Sequence, residues 1–189
     1  MEGVMVQLRN ERSLDGKLKA SCAPLQASER KATLLWAAKV CLSIDAWHLF
    51  AWIIDRVPHN HQWCTQMAAV VIANKMHHTI KGANKATIAK WKWRITPRRL
   101  CDEEVRVMTH LSWTLPTFAL TDCIRGMSNV FPSMRLYDSM LDYATEVVQC
   151  NPRLPVVDIC TACVRACLKD RSAIEFWNTY ERGMRTWLT

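Results

Sequence analysis

Four stretches hold residue types that do chemistry elsewhere. Cys160-Thr161-Ala162-Cys163 is a CxxC, with Cys167 one helical turn further on. A zinc site of that kind needs a second pair of ligands at matching spacing. The nearest candidates, His59, His61 and Cys64, are separated from it by long helical patterns. The residues therefore read as a cysteine-rich buried helix face. His59-Asn60-His61 suggests a nuclease, but it lacks both a strand framework and an acidic partner, and that reading is rejected. His77-His78 are neighbours that point in different directions on a helix, so they read as surface residues unable to chelate one metal. Lys90-Trp91-Lys92-Trp93-Arg94 interleaves cations and rings in the manner of a single-strand binder. A helix with Trp inward and Lys outward explains it equally well. No cofactor is implied.

The elements that position these residues are helical. Gln66 to Lys75, QMAAVVIANK, carries an unbroken apolar run from Met67 to Ala73 between polar ends. With its flanks from Gln62 to His77-His78 it spans about seventeen residues, too short and too polar at its ends to cross a membrane. Apolar on all sides, it reads as a core helix surrounded by others. Before it, residues 1–27 form an N-terminal extension with a weak helical pattern at Val4, Val6 and Leu8. Ser28 is placed to cap a first helix, with Glu29 in its first turn and Leu34, Leu35, Ala38 and Cys41 at helical spacing. Asp45 is placed to cap a second, Ala46 to Val57, with Trp47, Phe50, Ile53 and Ile54 on one face and Pro58 as its stop.

After the central helix, Gly82-Ala83-Asn84 breaks the chain and Lys85 to Trp93 reads as a basic fourth helix. Thr96-Pro97 opens a fifth, with Asp102, Glu103 and Glu104 inside and an end near Trp113. Thr117 to Met127, Met134 to Gln149, Val156 to Leu168 and Arg171 to Trp187 complete the pattern. The third last of these places Leu136, Met140, Tyr143, Ala144 and Val147 on one side. No period-two strand pattern occurs, and the expected fold class is all-α.

The 189 residues are long enough to bury a core, and 50% hydrophobic residues with five Gly and seven Pro describe an ordered chain. A formal charge of +8 is spread along the sequence and reads as solvated faces, with nucleic acid an unlikely partner. Nine cysteines, an odd number, and no apolar segment ahead of a cleavage site predict reduced thiols in the nucleus and cytoplasm rather than secretion.

Five helices around an apolar third one, in this order, resemble a cyclin box. Asp55-Arg56 ends the second helix as the Asp-Arg of cyclins does, and QMAAVVIANKMHHTI is similar to the family's third helix. Lys75 and Glu104 stand 29 residues apart, the interval of the paired Lys and Glu of cyclins. Leu111-Ser112-Trp113 matches the family's Leu-x-Trp, while Arg30-Lys31 with Trp36 and Cys41 fits the first helix of D-type cyclins. Trp113 to Asp122, WTLPTFALTD, has the spacing of gammaherpesvirus cyclins. The resemblance covers roughly residues 28 to 125 and weakens toward residue 170. It implies a complete N-terminal five-helix box over residues 28–115 and a truncated second helical box over residues 116–189.

The resemblance implies no catalytic residues. It implies a regulatory subunit that forms a heterodimer with a cyclin-dependent kinase, activates it, drives the cell cycle and reaches protein substrates through it. Lys75 and Glu104, at adjacent helix ends, would bond to backbone groups of the kinase, with Met76, Met108, Trp113 and Leu115 as apolar contacts. Arg30, Trp36, Lys39 and Gln66 would mark a degenerate substrate-docking patch, because Glu29, Ala32 and Thr33 replace its apolar residues and Lys39 replaces the Glu that faces a substrate Arg. The other expectation is a cyclin-fold module that contacts transcription machinery or nucleic acid without activating a kinase.

Overall fold

The computed structural model describes residues 25–58, 62–78, 95–116 and 119–188. Among them are eight α-helices, one 3-10 turn and no strand. The chain forms two compact units, Leu18–Leu115 and a second that contains Pro116–Thr189. The basic fourth helix, the Gly82-Ala83-Asn84 break, the Lys90–Arg94 stretch, His59-Asn60-His61 and the N-terminal pattern at Val4, Val6 and Leu8 lie outside the described residues.

In the first unit, α1 is Ala27–Ala37, α2 Ile44–Ile54, α3 Gln62–His77 and α4 Pro97–His110. Helix α3 packs against both α2 and α4. Its residues from Cys64 to Asn74 are all buried, so no side of the helix is left to solvent over three turns. The reason is compositional: Ala68, Ala69 and Ala73 let neighbouring backbones approach, and Met67, Val70, Val71 and Ile72 fill the space between. Helix α2 is buried over its whole length from Ala46 to Ile54, where one apolar face was expected. Its large residues therefore serve several neighbours at once. Trp47 Nε1 donates to the Leu34 carbonyl at 3.0 Å and ties α2 to α1.

Four helix starts and ends differ from the sequence expectation. Helix α1 begins at Ala27 with Gln26 before it, so Ser28 lies inside the helix and caps nothing. Only Arg30, Thr33, Leu34 and Ala37 are buried; Leu35 points outward at 49% exposure. Helix α2 is capped by Ser43, whose hydroxyl accepts from the Ala46 amide at 3.2 Å; Asp45 falls in the first turn. Helix α2 also stops at Ile54, with Asp55 as its C-cap. Helix α4 does start at Thr96-Pro97, the Thr96 hydroxyl accepting from Arg99 at 3.3 Å. It ends at His110 rather than Trp113.

His48 on α2 has a pKa lowered to about 4, chiefly by burial; Asp45 works against the shift, Arg56 and His77 with it. The unfolded chain takes up the proton near pH 6.5 and the folded one near 4, so this contribution is complete above 6.5 and lost as pH falls between them. Urea titrations across that window are expected to show stability falling by at most about 1.4 kcal/mol per pH unit from this group. In His48→Gln that share of the slope disappears; an unchanged slope would assign the acid sensitivity elsewhere.

In the second unit, α5 is Leu120–Ser128, α6 Tyr137–Cys150, α7 Val156–Cys167 and α8 Arg171–Leu188, with the 3-10 turn Pro132–Met134 before α6. Helix α7 packs against α5, α6 and α8 and buries both members of the CxxC, Cys160 and Cys163. Tyr143, expected inside, is 39% exposed, because the buried face of α6 is Met140, Ala144, Val147 and Val148. On α8 the inward residues are Ala173, Trp177, Glu181 and Met184. Trp177 lies 5.5 Å from Tyr180 and 6.2 Å from Phe131. Glu181, though buried, meets Arg165 at 2.9 Å and Arg185 at 2.8 Å, and Arg185 also reaches Asp158 at 2.8 Å. These charges join α7 to α8.

Candidate functional site

The site grows from the contact between α3 and α4. The buried stripe of α4 is Leu100, Glu103 and Val107, continued by Leu111. That register separates the acidic run into three environments: Asp102 is exposed, Glu103 buried and Glu104 half-buried. Glu103 is an internal anchor. Its carboxylate accepts from the Thr65 hydroxyl at 2.7 Å and from Arg106 Nε at 3.0 Å. Arg106 also donates to Thr65 Oγ1 at 2.7 Å, and its bond to Glu103 raises its pKa further. Nothing in the sequence distinguished Glu103 from its neighbours except its place on the stripe.

Glu104, one step round the helix, reaches α3 instead. Its Oε2 accepts from Lys75 Nζ, with the two side chains 14% and 27% exposed. Lys75 sits in the last turn of α3, whereas Glu104 lies in the middle of α4, so the two are not at adjacent helix ends. Lysine near a helix C-terminus also complements the helix dipole. The pair uses one ammonium proton and one carboxylate oxygen. Further Lys donors and Oε1 remain to meet an incoming backbone carbonyl and amide.

Asn74, the residue before Lys75, points the opposite way and is fully buried. Its Oδ1 accepts from the Leu42 amide at 3.0 Å and its Nδ2 donates to the Val40 carbonyl at 3.4 Å. The turn that carries Lys75 is thereby held to the α1–α2 connection. His78 lies 3.2 Å from Ser43 Oγ and adds to the same join.

Exposed apolar side chains accompany the ion pair in sequence and register: Met76 at 46%, Val105 at 53% and Trp113 at 64%. Met108 and Leu115 are half-buried. Val105 was missed. It lies off the buried stripe of its helix, and an apolar residue off the stripe is the signal that would have found it. Trp113 is aimed by backbone geometry. Ser112 and Trp113 have φ of 51° and 57°. The Trp113 amide returns to the Met108 carbonyl at 2.7 Å and the Ser112 amide to Thr109 at 3.0 Å, which is a Schellman close to α4. The first left-handed position there usually belongs to glycine.

The four residues expected at a docking patch do not share one surface. The Arg30 guanidinium is buried against Asp55, Nε to Oδ1 at 2.7 Å and Nη2 to Oδ2 at 2.8 Å. Gln66 is buried too and donates to Thr33 Oγ1 at 3.2 Å. Both side chains are buried and hold α1 to its neighbours. Trp36 is half-buried, its ring 6.2 Å from Phe50 and 5.2 Å from Trp63. Lys39 is exposed.

The cysteines give no second site. All eight among the described residues are free thiols. Burial pushes Cys41 and Cys163 up to about 12, which keeps them protonated and unreactive. Among the described residues no cluster of three His, Cys, Asp or Glu side chains is placed to hold a metal. None of the described helices is long and apolar enough to cross a membrane. No protein-family model, curated protein or solved structure matches the chain.

Proposed function

We propose that the chain is a cyclin-fold regulatory subunit that binds a cyclin-dependent protein kinase and activates it. The observation that carries this reading is the part-buried Lys75–Glu104 ion pair across α3 and α4. A partly exposed pair of this kind contributes little to folding by itself. Exposed Met76 and Val105 follow its two members in sequence and exposed Trp113 closes α4, so that apolar area would accompany orienting donors and acceptors, the composition of a binding hot spot. The partner's backbone would bond to the free Lys75 protons and to Glu104 Oε1, while the apolar residues supply burial. Activation is then population shift: the subunit stabilises the kinase conformer in which the regulatory helix is turned in and the active-site Lys–Glu pair is made.

Co-purification from cell extract, probed for cyclin-dependent kinases and assayed for protein phosphorylation, tests the reading. Lys75→Ala with Glu104→Ala is expected to weaken the complex by about 1–3 kcal/mol through loss of charge-assisted bonds. Unchanged affinity in that variant, with helicity by circular dichroism intact, would sink the assignment. A chain that carries no kinase and stimulates none would leave a cyclin-fold module for transcription machinery or nucleic acid as the better account.

A further inference from the structure

We infer that Thr96 is a phosphorylation site for a proline-directed protein kinase, and that the phosphate it receives strengthens the N-terminal cap of α4. Of the seven prolines in the chain, only Pro97 follows a serine or threonine. Arg99 stands three residues after the Thr96 hydroxyl. Proline carries no amide N–H, so a kinase cleft that offers no acceptor after the hydroxyl residue selects it there. A guanidinium two residues beyond the proline can pair with a carboxylate or phosphate of the enzyme. Thr96, Pro97, Arg98 and Arg99 are all exposed, between buried Ile95 and Leu100. Thr96 is extended, with φ −77° and ψ 151°. Presenting it to a cleft opens one helical turn. The Leu100 amide leaves the Thr96 carbonyl, now at 2.9 Å, and the Arg99 amide leaves the Thr96 hydroxyl, now at 3.3 Å.

Capping by itself accounts for Thr96 and Pro97, but not for the residues after them. The amino end of a helix is its positive pole, where acidic side chains are favoured and basic ones are not. The first turn of α4 holds no acidic residue, and Arg98 and Arg99 occupy it instead. A phosphate on Thr96 Oγ1 reverses that balance. It sets between one and two negative charges against the pole, within reach of the first-turn amides. The two guanidinium groups, unfavourable at a bare helix start, become its partners. Further along the helix the first carboxylates, Asp102 and Glu103, come six and seven residues after Thr96. In the transfer, Thr96 Oγ1 attacks the γ-phosphorus of ATP as the bond to the β-phosphate oxygen breaks. ADP leaves, and the hydroxyl proton passes to the catalytic aspartate of the kinase. Glu104 lies about 12 Å of helical rise beyond Thr96. The inference therefore stands on the start of α4 and does not require that the chain bind a kinase through Lys75 and Glu104.

The test incubates the full chain with radiolabelled ATP and a purified mitogen-activated protein kinase, a proline-directed enzyme that needs no cyclin. The folded chain is expected to take up one phosphate, mapped to Thr96 by mass spectrometry. Thr96→Ser should keep the label and Thr96→Ala lose it. Thr96→Asn, which retains cap chemistry without a hydroxyl, repeats the loss should the alanine variant fail to fold. Pro97→Ala is expected to slow labelling about tenfold or more, since alanine is accepted in a first helical turn but brings back the N–H. In the phosphorylated chain, hydrogen exchange at the Arg98 and Arg99 amides should slow by about fivefold or more. Label that persists in Thr96→Ala and Thr96→Asn would overturn the proposal. So would a Pro97→Ala chain labelled as fast as wild type, or a folded chain that stays unlabelled while its heat-unfolded form is modified. Exchange that is unchanged or faster after phosphorylation would overturn the capping role.

Discussion

Asp55→Ala is expected to destabilise the Leu18–Leu115 unit by about 3–5 kcal/mol, a large part of the 5–15 kcal/mol that holds a domain together. Both side chains of the Arg30–Asp55 pair are 3% exposed, and the guanidinium bonds the carboxylate through two parallel N–H groups. Removing the carboxylate takes both parallel bonds from a buried cation, in surroundings where rehydration needs α1 to lift from α2. Arg30→Met with Asp55→Leu removes both charges and keeps the volume; such replacements are often neutral, so this double variant should unfold within about 1 kcal/mol of wild type. Urea titrations followed by circular dichroism give both numbers. A loss below about 1 kcal/mol for Asp55→Ala alone would show that water already reaches Arg30.

Trp113→Gly is expected to divide folding from binding. The indole is 64% exposed, so its removal takes little buried area from the folded chain. Its φ of 57° is one that a bulky residue adopts at a cost of about 1–3 kcal/mol and glycine adopts freely. Glycine in turn widens the unfolded ensemble by about 0.4–1 kcal/mol. The two effects oppose each other, and thermal unfolding should stay near wild type or rise slightly. Affinity for the proposed kinase partner should drop by about 2–4 kcal/mol, the range of an aromatic anchor. A large fall in stability would make Trp113 part of the core. Unaltered affinity would remove it from the interface and leave the left-handed backbone without a functional account.

The fold class and the central helix were legible because they depend on long-range composition. Seven consecutive apolar residues, Met67 to Ala73, have few ways to avoid water, and all seven are buried. Ends were less legible, because a cap is decided by one hydroxyl. Ser28, Ser43 and Asp45 all have cap chemistry, and only the backbone at Ser43 turns its oxygen onto an amide. At the site, the resemblance paired Lys75 with Glu104 at adjacent helix ends; their side chains do meet, but Glu104 does so from the middle of α4. The resemblance also marked Arg30 and Gln66, and both prove to be buried; residue type alone does not foretell that, because their partners Asp55 and Thr33 lie on other elements. Glu103 and Val105 show the converse: residue type hid the burial of one and the exposure of the other, and the helix stripe reveals both.

Full burial of α3 also determines how freely each part of the first unit can change its sequence. A helix with one dry face offers outward positions where substitutions are tolerated. From Cys64 to Asn74 this helix offers none. At Ala68, Ala69 and Ala73, each with no exposed surface, one added methyl group must displace a neighbour, and overfilling a core costs about 1–3 kcal/mol. The permitted alphabet there is set by volume, while Lys75 and Met76, one step beyond the core, stand where volume is free and chemistry can vary. Drift in the first unit is thus channelled outward, toward the residues proposed to meet a partner, and a change of partner would need no change in the helix that carries them.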